Sequence, residues 1–310
     1  MVPAPPLRSW LPGLIALGAM WGASFLFIKI AVGDLHPLWI AASRLVFGGL
    51  VLGLILLVRR RGLPTDPRAW LVNGFVGIVG CALPFALFAF AGERIPSLLS
   101  GLWNSTTPLV VLPLAVLVFR TEPFTLRRLL GLLLGLTGSL VILGVWNLAG
   151  GAYDLVGQLM CLAASACYGI STAFTRRYVS SRREPPVVAA TVQMITGAVV
   201  AVPLALIVAG VPTPGPGALA AAVALGALGT GLGFLLNLRN IAMLGASAAA
   251  SVTYLVPVFA TLLGVVVLHE QLNWHQILGG IIVLLGVGVA QSATRHSTTP
   301  TIRRSRQEHP

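Results

Sequence analysis

Charged side chains are scarce in this chain, and that scarcity limits the kind of surface it can have. Asp, Glu, Lys and Arg make up 9% of the 310 residues, whereas 56% are hydrophobic. A water-soluble protein of this length carries roughly a quarter of its residues as charged side chains. The surface must therefore face an apolar medium, and the composition predicts a protein embedded in the lipid bilayer.

Acidic residues are the scarcest of the charged types. The chain has 8 of them against 20 Lys and Arg, which gives a formal net charge of +12. Such an excess can indicate nucleic-acid binding, but the arginines form short clusters between long apolar runs. No basic stripe carries the aromatic residues that would stack on bases. The distribution favours a membrane-topology signal, and we expect no nucleic-acid partner.

Cysteine is also rare, and its positions exclude two common roles. All three cysteines lie inside apolar runs: Cys81, Cys161 and Cys167. Their spacing matches neither a disulfide framework nor a zinc site. We expect them to be buried packing residues.

Enzyme motifs are missing as well. His269-Glu270 begins like the helix of a zinc protease, but Asn273 stands where the second histidine ligand is needed. The sequence has no Gly-x-Ser-x-Gly motif, no carboxylate cluster and no phosphate-binding Gly-Lys-Ser/Thr loop. We therefore expect no metal, no cofactor and no enzymatic activity, and no ATP-driven transport by this chain alone.

The chain does contain a series of apolar runs, each long enough to cross about 30 Å of hydrocarbon. We predict ten transmembrane helices, in residues 11–32, 37–58, 69–91, 97–119, 129–147, 153–174, 186–210, 217–238, 245–268 and 275–293. The first run is too long for a signal peptide and lacks an Ala-x-Ala-like cleavage site. The predicted fold class is an all-α polytopic membrane protein with an N-terminal tail (1–10) and a basic C-terminal tail (294–310).

The basic residues predict the orientation of these helices, because Lys and Arg accumulate in cytoplasmic loops. One set of alternate loops and tails holds Arg8, Arg59, Arg60, Arg61, Arg68, Arg120, Arg127, Arg128, Arg176, Arg177, Arg182, Arg183, Arg239, Arg295, Arg303, Arg304 and Arg306. The other set holds Arg94 alone. This asymmetry predicts that both termini are cytoplasmic, which requires an even number of crossings.

The two halves of the chain, residues 11–147 and 153–293, match each other at a nearly constant offset of 147 to 149 residues. The matching pairs include Trp21 with Tyr168, Lys29 with Arg176, Arg44 with Gln193, Gly48 with Gly197, Gly77 with Gly226, Gly80 with Gly229, Phe85 with Phe234, Pro108 with Pro257, and Glu122 with Glu270. Each half has five predicted spans, and an odd number inverts the second half relative to the first. Inverted repeats are a recurring plan for secondary transporters, with the substrate between the halves near the midplane.

Several of these motifs also occur together in a known family. They are Trp21-Gly22-Ala23-Ser24, the opening of the second helix (37–44), the Pro108 and Pro257 helices that end near Glu122 and Glu270, and the glycine-bearing last helix of each half. In this order they resemble the drug/metabolite transporter superfamily, specifically its EamA-like ten-helix family. The resemblance covers the chain outside the two tails. It implies export of small metabolites, such as amino acids or related solutes, and names no single substrate.

Two basic residues lie inside predicted spans, where charge is costly and usually functional. Lys29 is close to the non-cytoplasmic end of the first span, and Arg44 lies seven residues into the returning span. We place both at similar depth on adjacent helices, where they can receive a carboxylate or another anionic group. The alternative is that Lys29 reaches the lipid head groups, while Arg44 binds backbone carbonyls or pairs with Asp34 or Glu93.

Polar and aromatic side chains recur at helical spacing in both halves, and we interpret them as candidates for lining a substrate pathway. With the two basic residues, the substrate-binding candidates are Trp21, Ser24, Phe25, Lys29, Arg44, Phe85, Trp103, Asn104, Tyr168, Ser171, Thr172, Gln193, Asn237 and Tyr254. The alternative for each is hydrogen bonding between helices, a common use of Ser, Thr and Asn in membranes.

These observations predict a secondary transporter of the cytoplasmic membrane that works by alternating access. Export is the direction that the family resemblance implies. A channel-like facilitator and a lipid or drug flippase remain the alternatives. Energy coupling stays open because no carboxylate lies in the middle of a span. The partners expected are a small-molecule substrate and the lipid bilayer, with a homodimer as an open alternative.

Overall fold

The computed structural model describes residues 7–119, 125–143, 154–179, 182, 184–237 and 252–295, and these ranges contain helices and no strand. In chain order the α-helices are α1 (Leu7–Ala31), α2 (Pro37–Val58), α3 (Pro67–Gly77), α4 (Leu83–Arg94), α5 (Ser97–Asn104), α6 (Thr107–Pro113), α7 (Leu126–Leu143), α8 (Leu155–Phe174), α9 (Pro186–Ala209), α10 (Pro216–Ala224), α11 (Val252–Leu268) and α12 (Trp274–Arg295). Wider π-helical turns occupy Ile78–Ala82, Leu114–Val118, Thr175–Val179 and Leu225–Leu232.

Six helical runs are long and apolar enough to cross a membrane. They are Pro12–Ala31, Pro37–Val58, Pro67–Arg94, Leu155–Val179, Pro186–Ala209 and Pro216–Asn237. Three further apolar helices are shorter: Leu129–Gly138, Leu255–Leu268 and Trp274–Gly286. The prediction of an all-helical polytopic membrane protein is confirmed at this level, while the number of spans stays a prediction.

Helix starts follow from proline and from short polar caps. Proline stands in the first turn of α2, α3, α9 and α10, where its missing N–H leaves no hydrogen bond unmade and its fixed φ suits a helix. The Asp66 carboxylate also accepts a hydrogen bond from the Arg68 N–H at 2.9 Å, and Asp154 accepts one from Gly157 at 2.9 Å. Because these signals are local, most helix starts in the structure lie close to the predicted ones.

The span predicted at residues 97–119 is broken between α5 and α6. Pro108 has no N–H to donate to the Asn104 carbonyl, four residues earlier. The Thr107 hydroxyl takes that place and donates to the Asn104 carbonyl at 2.8 Å. Ser105 and Thr106 donate to the carbonyls three residues before them, at 2.6 and 2.7 Å. The hydroxyl-rich sequence thus satisfies the carbonyls that the break exposes.

The two halves contact each other through corresponding pairs of helices: where a helix of the first half packs on one of the second, their counterparts pack on each other as well. The first helix of the first half, α1, packs against α11 in the second half, and α8 packs against α5 and α6 in the first. The α2 helix packs against α9, and α7 packs against α12 along their lengths. The wider π-helical turns match as well, since Ile78–Ala82 moved by 149 residues falls inside Leu225–Leu232.

Close approaches between helices recur at the same offsets. A Cβ added at Gly229 would lie 2.6 Å from the Ser24 Oγ, and one added at Gly80 would lie 2.6 Å from the Ser171 Oγ. Ser171 follows Ser24 by 147 residues, and Gly229 follows Gly80 by 149. Small residues at these crossings let the helix backbones pack closely, as is common in membranes.

The same exchange holds where α7 crosses α12. A Cβ added at Gly138 would lie 2.7 Å from the Gly279 carbonyl oxygen, and one added at Gly286 would lie 2.7 Å from the Gly131 carbonyl oxygen. Gly279 and Gly286 follow Gly131 and Gly138 by 148 residues each. Both crossings therefore depend on glycine at corresponding positions.

Polar contacts at helix ends join loops that the sequence predicts on the non-cytoplasmic side. The Gly215 N–H donates to the Asp34 carboxylate at 3.1 Å. Arg94 forms an ion pair with Asp154 at 2.8 Å. The hydrogen bond from the Gly157 N–H and that from Arg94 lower the pKa of the Asp154 carboxyl.

A second group of contacts joins loops predicted on the cytoplasmic side. Arg182 forms ion pairs with Asp66 and, at 3.0 Å, with Glu184. Hydrogen bonds from the Arg68 N–H and from Arg182 lower the pKa of Asp66. Asp66 precedes α3 in the first half and Arg182 precedes α9 in the second, so this cluster links the two halves at one end.

Candidate functional site

Arg44 is the most deeply buried charge among the described residues, with 7% of its surface exposed. It lies two helical turns after the start of α2, where that helix crosses Leu225–Leu232 of the second half. Its Nε donates to the Thr230 hydroxyl at 3.2 Å. Its guanidinium carbon lies 3.8 Å from the centre of the Phe85 ring, a cation–π contact. One side chain from each half thus holds the cation.

The Arg44 charge has no acidic partner among the described residues. Its Nη1 and Nη2 atoms make no hydrogen bond to any of them. The sequence explains this, because the acidic residues are Asp34, Asp66, Glu93, Glu122, Asp154, Glu184, Glu270 and Glu308. Those that the structure describes all lie at helix ends or between helices. A buried cation is stable only when it is paired or hydrogen bonded, and the N–H groups of Nη1 and Nη2 are available to an external anion.

Aromatic rings from both halves lie near this charge. Phe85 lies under the guanidinium, and Tyr168 is close enough to Arg44 to interact with it electrostatically. The Tyr168 ring stacks on Phe88 with centroids 5.9 Å apart, and Phe88 meets Phe25 edge-to-face at 5.3 Å. These four aromatic residues and Arg44, which we call the Arg44 site, combine one charge with apolar ring surface.

Two predicted tryptophans of the first half donate hydrogen bonds to the second half. The Trp21 indole N–H donates to the Gly229 carbonyl at 3.1 Å. The Trp103 indole N–H donates to the Gln158 side chain at 3.2 Å. Each bond ties a helix of the first half to one of the second. Trp21 packs against the same hydrophobic cluster as Phe25 and Phe88, which brings it to the edge of the Arg44 site.

Lys29 does not join Arg44 in one basic patch. Its ammonium donates to the Gly92 and Ile95 carbonyls, at 2.8 and 3.2 Å, at the C-terminal end of α4. Gly92 lies seven residues after Phe85, which corresponds to about 10 Å along the helix. The structure thus gives Lys29 a helix-capping contact at the helix C-terminus, where cations are favoured, away from the Arg44 guanidinium.

The predicted serines are engaged in packing. Ser24 donates to the Met20 carbonyl at 3.1 Å and faces Gly229, while Ser171 donates to the Tyr168 carbonyl at 3.1 Å and faces Gly80. These contacts match the alternative of helix–helix packing. Thr172, the next residue along, has an exposed side chain.

Gln193, the counterpart of Arg44 in the second half, also binds across the halves. Its side-chain N–H donates to Asn73 at 3.0 Å. Asn73 in turn donates to the Ala69 carbonyl at 3.0 Å and to Glu184 at 3.4 Å. Gln193 therefore belongs to a hydrogen-bond network that continues through Glu184 to Arg182. Its counterpart Arg44 instead keeps N–H groups that bind no described residue.

The three remaining candidate residues of this group are Asn104, Asn237 and Tyr254. Asn104 is half-buried, and its carbonyl receives the Thr107 hydroxyl at the break before α6. Asn237 is half-buried at the end of a described range. Tyr254 lies in α11, and its side chain is outside the part of the chain that the structure describes.

Two polar residues that bind the candidate residues, Thr230 and Gln158, were not predicted from the sequence. Thr230 and Gln158 bind Arg44 and Trp103 only because distant helices cross there. The available signal was their position, since each is a polar residue within an apolar run. Thr230 also corresponds to Cys81, 149 residues earlier, which lies near Arg44 in the first half.

Glu270 has a role that its position between helices did not reveal. Its carboxylate accepts hydrogen bonds from the Ser97 N–H at 2.7 Å, the Ser97 hydroxyl at 2.9 Å and the Leu98 N–H at 3.1 Å. It thus caps the N-terminus of α5 from the second half, the favoured place for an anion. It also interacts electrostatically with Lys29, so the N-terminus of α5 that Glu270 caps lies beside the C-terminus of α4 that Lys29 caps.

Comparison with known proteins gives a family match. The model of the EamA-like transporter family matches residues 8–144 and again residues 155–290. The chain is 25% identical over 280 residues to the uncharacterized transporter YoaV of Bacillus subtilis, covering 89% of this chain and 94% of that protein. It is 29% identical over 269 residues to the uncharacterized inner membrane transporter YedA of Escherichia coli, covering 83% of each.

Two further comparisons agree with this match. A WAT1-related chloroplastic protein of Arabidopsis thaliana is 25% identical over 289 residues, which is 88% of this chain and 67% of that protein. One crystal structure superposes with a TM-score of 0.67 at 22% identity and covers 95% of this chain and 100% of that one. At that identity the similarity concerns the fold alone.

Proposed function

Because the chain belongs to the EamA-like transporter family, we propose that it is a secondary transporter that exports small anionic or zwitterionic metabolites, or drugs. Two of its relatives are named as uncharacterized transporters, one of them an inner membrane transporter. The chain is a multi-pass membrane protein with a transport role and no enzymatic one. The observation that carries the substrate class is the Arg44 site. A buried cation with the N–H groups of both Nη atoms free, beside apolar rings, is a receptor for an anionic group on an apolar body.

Alternating access is the mechanism we propose, with two inverted five-helix repeats moving against each other and both termini in the cytoplasm. Three observations support it. The family model matches the chain in two successive stretches. The helix contacts exchange between the halves, as do the glycine crossings. The Arg44 site takes side chains from both halves, as expected for a substrate site at the interface of the repeats.

Two sets of contacts between the halves are candidates for gates in this cycle. The Glu270 carboxylate on α5 and the ion pair of Arg94 with Asp154 lie at the predicted outer side. The cluster of Arg182 with Asp66 and Glu184 lies at the predicted inner side. Opening either side requires its contacts to separate while the other set stays closed.

The first test of export is a growth assay in the presence of toxic compounds. A bacterium that overproduces the chain is challenged with toxic amino acids, analogues and drugs, alongside cells that produce Arg44→Gln or Arg59→Gln. Arg59 is an exposed arginine after α2, so it is a matched control for the change of charge. We expect resistance to one chemical class, kept by Arg59→Gln and lost by Arg44→Gln.

Growth that is equal in all cells would contradict export, and uptake into vesicles would then give the direction.

Reporter fusions test the topology, and a C-terminal fusion active outside the cytoplasm would overturn the inverted repeat. A homodimer is also part of the proposal. It predicts a mass of twice 32.4 kDa for the purified protein in detergent, after correction for bound detergent.

A further inference from the structure

We infer that the Arg44 site selects organic monocarboxylates with a flat apolar body over zwitterions and cations of the same shape. This inference rests on the proposed transport function and narrows its substrate class. It depends on three features of the site: the direction of the free Arg44 donors, the ring surface around them and the distribution of acidic groups.

The guanidinium has one edge left for a ligand. Nε donates to the Thr230 hydroxyl, and the flat face lies on Phe85. The remaining donors are on Nη1 and Nη2, which lie in the guanidinium plane and make no hydrogen bond to a described residue. Two parallel N–H groups at that spacing match the two oxygens of a carboxylate, which arginine binds in a bidentate manner.

The body of the ligand would lie against aromatic rings that are 2% (Phe88) and 7% (Phe25) exposed in this structure, so it reaches them when the two halves move apart. Tyr168 and Phe88 stack at 5.9 Å, and Phe25 meets Phe88 at 5.3 Å, so the rings form one continuous group beside the cation. Trp21 packs on the same cluster, with its N–H already donated to Gly229. The phenylalanine rings, and the Trp21 indole whose N–H is already donated, favour an apolar, preferably flat, substituent over a sugar or another polar body.

An ammonium group has no counter-charge at this site. In an α-amino acid the ammonium is attached one carbon from the carboxylate, so binding of the carboxylate would bring it close to the Arg44 cation. No carboxylate of the described residues lies inside a helical run away from its ends. The face of Phe85, which could attract an ammonium, is already covered by Arg44. The Thr230 hydroxyl also donates, to the Leu225 carbonyl at 3.3 Å. The site therefore disfavours a zwitterion and rejects a cation.

Three probes of one shape separate these charges. They are 3-phenylpropanoate (anion), L-phenylalanine (zwitterion) and 2-phenylethylamine (cation). Binding is measured as the rise in melting temperature of the purified full-length protein in detergent, and transport as uptake into proteoliposomes. The variants are Arg44→Gln and Arg44→Lys, with Arg59→Gln as the control, because lysine keeps the charge and loses the bidentate edge.

We expect 3-phenylpropanoate to stabilise the protein and to bind about 10- to 100-fold more tightly than L-phenylalanine, because the ammonium of L-phenylalanine would be buried beside Arg44 without a partner. Binding should be lost in Arg44→Gln, be weakened in Arg44→Lys and persist in Arg59→Gln. Equal or tighter binding of L-phenylalanine would overturn the selection for monocarboxylates and leave the transport proposal standing. Absence of binding by 3-phenylpropanoate, or binding that survives Arg44→Gln, would also overturn it. Binding of the anion without uptake would support the site and contradict transport.

Discussion

Arg44 in the first half of the chain donates its Nε–H to the hydroxyl of Thr230 in the second half, at 3.2 Å. The bond fixes the rotation of the guanidinium about its long side chain, so the free Nη edge has a defined direction. It also makes the geometry of the buried charge depend on how the two halves are placed. A movement of one half against the other would therefore change the anion site itself.

The first prediction concerns this bond. Thr230→Val removes the acceptor and keeps the shape of the side chain, so Arg44 keeps its charge and loses its orientation. We expect the affinity for an anionic ligand to fall about 5- to 15-fold, which corresponds to a loss of about 1 to 1.5 kcal/mol for one hydrogen bond. Ligand-induced stabilisation of the purified protein measures this change.

Thr137→Val is the matched control, because Thr137 is exposed on α7 and its hydroxyl donates only to the Leu133 carbonyl of its own helix. An equal fall in affinity in both variants would contradict the orienting role of Thr230.

The second prediction concerns the cap on α5. Glu270→Gln keeps one acceptor oxygen and removes the negative charge that faces two backbone N–H groups and the Ser97 hydroxyl. We expect the protein to lose about 1 kcal/mol of stability, the usual value for an N-terminal cap and its helix dipole. Thermal unfolding in detergent measures the loss.

Glu93→Gln is the control for this change, since Glu93 is exposed in the last turn of α4. If Glu270→Gln were as stable as Glu93→Gln, the cap would contribute nothing measurable, and Glu270 would lose its place among the candidate outer contacts.

How much of this could be predicted depends on whether the cause was local. Helix starts at Pro37, Pro186 and Pro216 lie within one residue of the predicted positions, because proline in the first turn acts on its own backbone. The predicted end of the fifth span at residue 147 is not tested, because it lies outside the described part of the chain.

The candidate site divides in the same way. Burial cost alone identified Arg44, since a cation inside a span is expensive wherever its partners are. The role of Lys29 could not be read from the sequence, because its acceptors Gly92 and Ile95 are 63 and 66 residues away. Thr230, the partner of Arg44, is 186 residues away and depends on the crossing of two helices from different halves.

The third prediction tests the glycine crossings. Gly229→Ala places a Cβ 2.6 Å from the Ser24 Oγ, so one of the two helices must shift. We expect a loss of about 1 to 3 kcal/mol in stability from overpacking. Adding Ser24→Ala removes the clashing oxygen and should restore most of that stability, which thermal unfolding of the single and double variants measures.

The counterpart in the other half should behave differently. A Cβ at Gly80 would lie 2.6 Å from both the Oγ and the Cβ of Ser171, so Ser171→Ala leaves the clash in place. Gly53→Ala is the control, because a Cβ there meets no atom within 4 Å. Rescue of Gly80→Ala by Ser171→Ala, or a loss in Gly53→Ala as large as in Gly229→Ala, would contradict the packing assigned to these crossings.

The fourth prediction concerns pH at the predicted outer side. The Gly157 N–H and Arg94 hold the pKa of Asp154 below its ordinary value in the folded protein. A carboxyl whose pKa is lower in the folded than in the unfolded state stabilises the fold above its unfolded pKa, about 3.9. That contribution is lost as the pH falls through the folded pKa. The stability of the fold should therefore decrease as the pH falls below about 4, in part because Asp154 becomes protonated.

Asp154→Asn removes this titration, so its melting temperature should be lower than that of the natural chain at pH 7, and the difference should shrink as the pH falls below about 4. The difference should be small, because Arg94 and Asp154 are 44% and 33% exposed and water screens the pair. Arg94→Gln should give a smaller loss than Asp154→Asn, since it leaves the Asp154 carboxylate charge at the start of α8. A difference between the natural chain and Asp154→Asn that stays constant from pH 7 to pH 3 would mean that the carboxylate charge at this helix start does not stabilise the fold.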